Sequence, residues 1–310
     1  MHTSAKAALG TYTNLAAECK VLPEDSEYIE IPKGFATALI GENGAGKSTL
    51  LNILAGTRLD YKGELKFFGQ SIVKETEQEE TKRKERVGYT GTGMYFLPNW
   101  SLNQVGEITE LLFENFHKEE YQRLCMELGV QKGKGDKKTE TVRKLSDGNL
   151  MKLKLATIFS RDTDLLLLDE PASPLDPLMR ERLCEMMLEY LAKEEGEKTI
   201  LFSTHNISDM ENVTDYAIIM EAGKIVEKGF VEDLKEKYIV VKGEKEDAMR
   251  AEKILFTIRK SEYGFEGICL ASEIDKLAGM DVSMETPSLF QISVAVMKKY
   301  AKQGLGGVSK

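Results

Sequence analysis

The chain has little of the residues that build metal clusters, disulfide frameworks or membrane spans. Four cysteines and three histidines occur among 310 residues, and no two cysteines form a CxxC pair. A disulfide scaffold and a His-rich or CxxC metal site are therefore disfavoured. No apolar run reaches the roughly 18 residues that a membrane-spanning helix needs, and the first residues lack a signal-peptide core. We expect a cytoplasmic protein with reduced thiols.

Positive charge is also in short supply. The 42 Lys and Arg residues stand against 51 Asp and Glu, for a net charge of -9. Binding to nucleic acid without sequence preference needs a basic footprint, so no nucleic-acid partner is expected. Apolar residues make up 42% of the chain, which is enough for a sizeable core. The length allows one large domain, or one domain and a smaller one.

The pattern that is present begins with a phosphate-binding loop. Residues 41–48 read GENGAGKS and match GxxxxGK[ST], between an apolar run at 35–40 and a helical pattern at 50–55. The glycines let successive backbone N–H groups converge, and the helix adds its positive end. Lys47 is predicted to reach the β- and γ-phosphates of a nucleotide, and Ser48 to bind Mg²⁺. The candidate nucleotide-binding residues are Gly41, Asn43, Gly44, Ala45, Gly46, Lys47, Ser48 and Thr49.

Two adjacent carboxylates follow a run of four leucines at 165–168. Such a run predicts a strand buried on both faces, and two carboxylates at its end would be costly to bury without a cation. Asp169 is predicted to hold the metal directly or through water, and Glu170 to polarise the attacking water. His205 follows the predicted strand 199–203 and is expected at the same sheet edge, where it would hydrogen-bond the γ-phosphate.

Strand and helix patterns alternate along most of the chain, which predicts a mostly parallel sheet covered on both faces. After the charged residues near 235 the pattern changes to a small α+β unit. We therefore expect one domain over 1–234 and a second over 235–310. Further helices are predicted at 105–130, 147–160, 177–193, 206–212 and 288–302.

Residues 145–149 read Leu-Ser-Asp-Gly-Asn and open a predicted helix just before the Asp-Glu strand. With the phosphate loop, the carboxylates and His205 in this order, roughly residues 30–230 resemble the nucleotide-binding subunit of an ABC transporter. The resemblance implies an α/β P-loop NTPase fold of ABC type. It would have a mostly parallel central sheet, an antiparallel β subdomain and a helical signature subdomain, with a small C-terminal α+β unit.

The resemblance also implies roles for residues. Ser146 and Gly148 would act as signature residues on ATP held by the phosphate loop of a second chain, and Asp176 would cross the dimer interface. Ser146 suits this role as a good N-cap residue, because a helix start offers free N–H groups to an anion. Thr92 occupies the position at which the family usually has a metal-contacting Gln. It is the third candidate metal ligand, after Ser48 and Asp169. ATP and Mg²⁺ are the implied ligands, with Glu170, His205 and Lys47 catalytic.

Several positions depart from the family pattern. Asp147 and Asn149 stand where Gly and Gln are common, and Pro174 where Gly is more usual. Asp147 adds a negative charge near a phosphate site. Tyr12 is the nearest upstream aromatic that could stack on adenine.

The C-terminal layout resembles single-cassette ATPases of drug, antibiotic and lipid exporters. It implies an ATP-hydrolysing subunit that powers a membrane exporter through an ATP-sandwich dimer, peripheral on the inner face of the membrane. Its partners would be a separately encoded transmembrane permease, docked near the apolar residues 94–100, and a second ATP-binding chain, identical or not. Two alternatives stay open: a soluble ABC ATPase acting on a macromolecule, and a slow regulatory cassette of a heterodimer.

Overall fold

A computed structural model describes residues 29–91, 93, 95–130 and 141–305. Thr92, Met94 and Tyr12 lie outside this part of the chain. The strands of the described part are β1 (Ala36–Gly41), β2 (Lys66–Phe67), β3 (Gln70–Ser71), β4 (Val87–Thr90), β5 (Leu165–Leu168), β6 (Thr199–Thr204), β7 (Tyr216–Glu221), β8 (Lys224–Phe230), β9 (Tyr238–Gly243), β10 (Thr257–Lys260), β11 (Phe265–Leu270) and β12 (Val282–Glu285). The α-helices are α1 (Lys47–Leu54), α2 (Glu77–Arg86), α3 (Leu102–Leu112), α4 (Lys118–Glu127), α5 (Asp147–Phe159), α6 (Pro177–Leu191), α7 (Val231–Lys237), α8 (Ala248–Ala251) and α9 (Leu289–Leu305).

The central sheet has the strand order β4-β5-β6-β1-β7-β8. All neighbouring pairs are parallel except β7 with β8. This confirms the mostly parallel sheet. The parallel order brings the carboxyl ends of β1, β5 and β6 to one edge, where the phosphate loop, the Asp-Glu pair and His205 follow their strands.

Side chains of the central strands alternate between two hydrophobic cores, as the two-residue period of a strand requires. Leu166 and Leu168 of β5 enter one core, with helices α3 to α6. Leu165 and Leu167 enter the other, with α1. All four are at most 2% exposed. The leucine run is therefore explained by burial on both faces.

Two smaller units flank the sheet. The pair β2-β3 is antiparallel, and the neighbouring helix α2 has no buried residue. A capping box starts α2, in which Thr76 and Glu79 bond each other's backbone N–H.

The predicted helix 105–130 is two helices, α3 and α4, because the α-helical hydrogen bonding of α3 stops at Phe113.

The C-terminal part contains a four-stranded antiparallel sheet of order β10-β11-β9-β12. Its own core is formed by Val241, Ala248, Ala251, Leu255, Phe265, Cys269 and Leu277. Helix α9 packs on the central sheet, where Leu289 and Ile292 are fully buried in the first core, and it also contacts β10 and β11. The Leu289 N–H also donates to Glu211 Oε1 at 2.9 Å. No helix in the described ranges is long and apolar enough to cross a membrane.

The predicted helix 206–212 is wrong. Two short 3₁₀ turns, Ile207–Asp209 and Glu211–Val213, replace it. Met210 between them has φ of -129° and ψ of 9°, outside the helical range, which breaks helical hydrogen bonding. The turns leave Asp209 free to pair with Arg180 of α6 at 2.7 Å.

Candidate active site

The phosphate loop joins the end of β1 to the start of α1. Gly44 and Gly46 have φ of 88° and 99°, a region that side chains disfavour. Gly41 is required for space, because a Cβ there would lie 2.5 Å from the Met220 carbonyl oxygen. Lys47 is 5% exposed, and its ammonium donates to the carbonyls of Gly41 at 2.7 Å and Glu42 at 3.2 Å. The first N–H groups of α1 have no intrahelical acceptor and remain for an anion.

Asp169 lies at the carboxyl end of β5 and is 1% exposed. Ser48 Oγ donates to its Oδ1 at 3.0 Å, and Ser203 Oγ donates to the same oxygen at 2.6 Å. The other oxygen, Oδ2, is buried and accepts no hydrogen bond from a described residue. A buried, unsatisfied carboxylate oxygen beside a serine hydroxyl is an incomplete set of hard oxygen donors. Ser48 and Asp169 therefore fit a Mg²⁺ ion.

Glu170 is held in an unusual backbone conformation, with φ of 48°. Its N–H donates to Ser203 Oγ at 2.8 Å, which helps to fix it there. Its Oε2 lies 2.8 Å from His205 Nδ1. A carboxylate only accepts hydrogen bonds, so Nδ1 carries the proton and Nε2 is left for another group. Glu170 Oε1 lies 3.4 Å from Lys47 Nζ and accepts no hydrogen bond from the described residues. Such positive-φ residues often mark functional sites.

A cavity of about 340 Å³ opens between these groups and the start of α5. It is lined by Asn43, Asp147, Leu150, Met151, Lys154, Asp169, Glu170, Ser173, Pro174 and His205. Asp147 thus lines the same cavity as Asp169 and Glu170, and brings a third carboxylate. Phosphate-loop and signature-turn residues of one chain therefore share one cavity.

The signature turn packs on the loop that follows Glu170. Ser146 is exposed and caps α5, accepting a hydrogen bond from the Asn149 N–H at 3.3 Å. A Cβ on Gly148 would lie 2.9 Å from the Pro174 carbonyl oxygen, so this glycine is needed for close approach. Asp176 is exposed and caps α6 through the Met179 N–H at 3.1 Å.

The remaining predicted residues are less informative. Thr49 is half-buried in the first turn of α1. Thr92 lies outside the described residues, so its candidate role as a metal ligand stays a prediction. Gln104 cannot replace it in this structure, because its side chain accepts a hydrogen bond from Ser101 N at 2.9 Å and caps α3.

Sequence reasoning missed two polar residues at the site. Ser203 bridges the backbone of Glu170 and the carboxylate of Asp169; its position at the end of β6, beside β5, was the available signal. Lys154 lies on α5 among buried apolar residues and is only 4% exposed. One lysine within an apolar helical pattern was the signal there.

Comparisons with known proteins agree with this geometry. A family model described as "ABC transporter" matches residues 27–173. A phosphonates import ATP-binding protein of Fusobacterium nucleatum is 30% identical over 207 residues, which are 63% of this chain and 81% of that protein. An energy-coupling factor transporter ATP-binding protein of Ligilactobacillus salivarius is 31% identical over 206 residues, 64% of this chain and 68% of that protein.

An ABC transporter ATP-binding protein of Synechocystis is 33% identical over 71% of this chain, but only 61% of that protein's length is spanned. A solved structure of an ATP binding subunit of an ABC transporter matches 67% of this chain and 83% of its own, with a TM-score of 0.56 and 25% identity. A dimeric ATP-binding cassette bound to ADP and Pi, at 19% identity and a TM-score of 0.55, covers 66% of this chain and 88% of its own, and shows the fold alone. By these matches, the chain belongs to the ABC transporter family of ATP-binding proteins.

Proposed function

We propose that this chain binds and hydrolyses ATP to power a membrane transporter. The observation that carries the proposal is the meeting of Lys47, Asp169, Glu170 and His205 at one sheet edge, around two buried carboxylate oxygens that accept no hydrogen bond from the described residues. Glu170 Oε1 is ion-paired with Lys47, but a structural role alone would leave Asp169 Oδ2 unsatisfied at a cost in stability. A bound nucleotide, a metal and a water molecule would satisfy both oxygens.

Each residue has a defined task in the proposed reaction. Mg²⁺, when bound by Ser48 and Asp169, would neutralise phosphate charge. Glu170 accepts a proton from the attacking water while the water oxygen bonds to the γ-phosphorus and the bond to the β-phosphate oxygen breaks. Lys47 and the loop N–H groups stabilise the charge that develops on the phosphate oxygens. His205 holds Glu170 through Nδ1 and presents Nε2 to the γ-phosphate.

Phosphate release by the purified chain tests this function. We expect release to require both ATP and a divalent cation, because Asp169 Oδ2 accepts no hydrogen bond from the described residues and is available to a cation. Chelation with EDTA should reduce turnover to background, and added Mg²⁺ should restore it. Lys47→Ala serves as the inactive reference, since it removes the ammonium at the loop. Turnover that persists in EDTA would contradict the proposed metal site.

We also propose that two chains form an ATP sandwich. The exposed Ser146 and the free N–H groups at the start of α5 support this arrangement, because the phosphate loop already supplies one helix end within its own chain. A second helix end is useful when it closes the site from another chain. The partner chain would be the same protein or a related one.

An apolar groove supports a membrane subunit as the other partner. A cavity of about 290 Å³ lies between the sheet and α3, beside the loop after β4. Its lining includes Tyr95, Phe96, Trp100, Ile108, Leu112 and Phe113. Leu112 is 66% exposed at the rim. Exposed apolar residues around a groove are typical of a docking surface for an apolar helix, and we propose that a short helix of the permease binds here. The chain would then be peripheral on the inner face of the membrane.

Charge placed at the groove should release the chain from membranes. We expect Leu112→Glu to lower the fraction that sediments with membranes of the native host at least about tenfold, because a buried unpaired charge is costly. Leu111→Glu is the matched control, since Leu111 is 84% exposed on the same helix and does not line the groove. Basal ATPase turnover should be unchanged in both. Equal retention of the two variants would exclude the groove as the docking site.

Export remains the proposed direction of transport on the strength of the C-terminal layout. Relatives named for import, such as the phosphonates import protein, are also similar to this chain. The division into 1–234 and 235–310 is a proposal as well. The separate core of residues 241–277 supports it, whereas α9 belongs to the core of the central sheet.

A slow regulatory cassette is the second candidate, and the position of Asp147 favours it. Its carboxylate lines the cavity with Asp169 and Glu170, so it would repel phosphate charge. The phosphate-release assay separates the two candidates. Turnover that rises only when a different ATP-binding chain is added would favour the regulatory role.

A further inference from the structure

Lys154 lies between the catalytic cavity and the apolar groove. Its ammonium is buried and donates to the Gly91 carbonyl at 2.8 Å and the Gly93 carbonyl at 2.7 Å. It lies 4.9 Å from the centre of the Tyr95 ring. The same side chain lines both the catalytic cavity and the apolar groove. Lys154 therefore separates the catalytic cavity from the apolar groove.

The backbone of Gly91 lies close to the hydroxyls of Tyr89 and Tyr95 as well as to Lys154. Gly91 and Gly93 have no side chains to anchor, and a Cβ at Gly91 would overlap the hydroxyls of Tyr89 and Tyr95. A lysine ammonium has three donors, and two bind the loop carbonyls. Charge-assisted bonds of this kind are about twice as strong as neutral ones, so Lys154 supplies two strong polar contacts from α5 to this loop.

Asp169 lines the catalytic cavity together with Lys154. Its backbone N–H donates to the Thr90 carbonyl at 2.8 Å, directly before the loop. Burial lowers the pKa of Lys154, and the negative charge of Asp169 acts in the opposite direction. The carboxylate thus helps to keep the buried lysine charged.

A second chain of contacts reaches the phosphate loop from the same place. Tyr89 Oη donates to Asn52 Oδ1 at 2.8 Å, and Asn52 Nδ2 donates to the Ser48 carbonyl at 2.7 Å. The loop after β4 is therefore linked to the Asp169 side of the site through Thr90 and to the Ser48 side through Tyr89.

We propose that Lys154 is a positioning residue that ties the backbone of Gly91 and Gly93 to the signature helix α5 and so sets the catalytic geometry at Asp169. The inference rests on the proposed function for its activity test and not for its structural test. Movement of α5 would pull the loop through Lys154. A change at the groove, which the loop also borders, would reach Asp169 through the same side chain.

Lys154→Met tests the proposal, because methionine keeps a long, unbranched apolar stem but removes the charge and the donors. We expect the turnover number for ATP to fall at least about tenfold, since small misplacements of catalytic groups have large effects on rate. The dissociation constant for ATP should stay within about twofold, because the hydrogen bonds of Lys154 Nζ go to Gly91 and Gly93 and not to the phosphate loop. In the nucleotide-free state, amide hydrogen exchange in residues 88–97 should be faster in Lys154→Met than in the wild type.

Lys152→Met is the matched control. Lys152 is half-buried on the same helix and forms no hydrogen bond or ion pair with a described residue. Lys152→Met should retain the ATP turnover of the wild type. Its amide hydrogen exchange in residues 88–97 should stay as slow as in the wild type. If Lys154→Met matches it in turnover, or in loop exchange, the inference is wrong. A wild-type chain that fails to bind ATP would instead overturn the proposed function, and the exchange measurement would still decide the anchoring role of Lys154.

Discussion

Glu170→Gln is expected to lower ATP turnover by about 10²–10⁴-fold while ATP binding is retained. Glutamine has the same size and can still accept the hydrogen bond from His205 Nδ1 that Glu170 Oε2 now accepts at 2.8 Å. It cannot accept a proton from the attacking water. The loss corresponds to about 3–5 kcal/mol of transition-state stabilisation.

The two readouts for this variant are phosphate release and the oligomeric state with ATP. We expect a stable ATP-bound dimer on size-exclusion chromatography, because the chain closes on ATP and cannot cleave it. Glu189→Gln is the control, since it removes one carboxylate from a surface pair with Arg182 at 2.9 Å. Turnover within a few-fold of the wild type would show that Glu170 is not the base.

Mixing two inactive chains is expected to restore activity. Lys47→Ala disables the phosphate loop, and Ser146→Arg blocks the signature turn with a bulky side chain. If the turn acts on the other chain's ATP, a mixed dimer contains one site with both halves intact. Half of randomly formed dimers are mixed, so about one quarter of the wild-type rate should return when the sites act independently.

The structure makes this a sharp test, because an arrangement within one chain is physically plausible. Asp147 and Asn43 line one cavity, so the signature turn and the phosphate loop of the same chain are already neighbours. If the turn served its own chain, every chain in the mixture would carry one defect. No activity would then return at any mixing ratio. Each variant alone provides the background rate.

The sequence predicted those parts of the site that local patterns determine. The phosphate loop needs glycine at positions with φ above zero, and Gly44 and Gly46 have it. The strand before Asp169 needed a continuous apolar run because both of its faces are covered. These constraints act on neighbouring residues and can be read along the chain.

Other parts depend on contacts between distant segments. Lys154 reaches a loop about 60 residues earlier, which no local pattern indicates. The strands β10 and β12 are both short and half-buried or exposed, so they lack the apolar alternation by which a core strand is predicted. The contact of α9 with the central sheet depends on a chain reversal that no short motif predicts.

The close contact of Gly148 with the Pro174 carbonyl has a consequence for how two bound ATP molecules would affect each other. In the proposed dimer the glycine serves one nucleotide, while the loop of Pro174 follows the glutamate that serves the other. A Cβ at the glycine would be only 2.9 Å from that carbonyl. The two segments are therefore in close contact, and a movement of one would displace the other. Hydrolysis at one site would then change affinity at the other, and ATP saturation curves would deviate from a simple hyperbola.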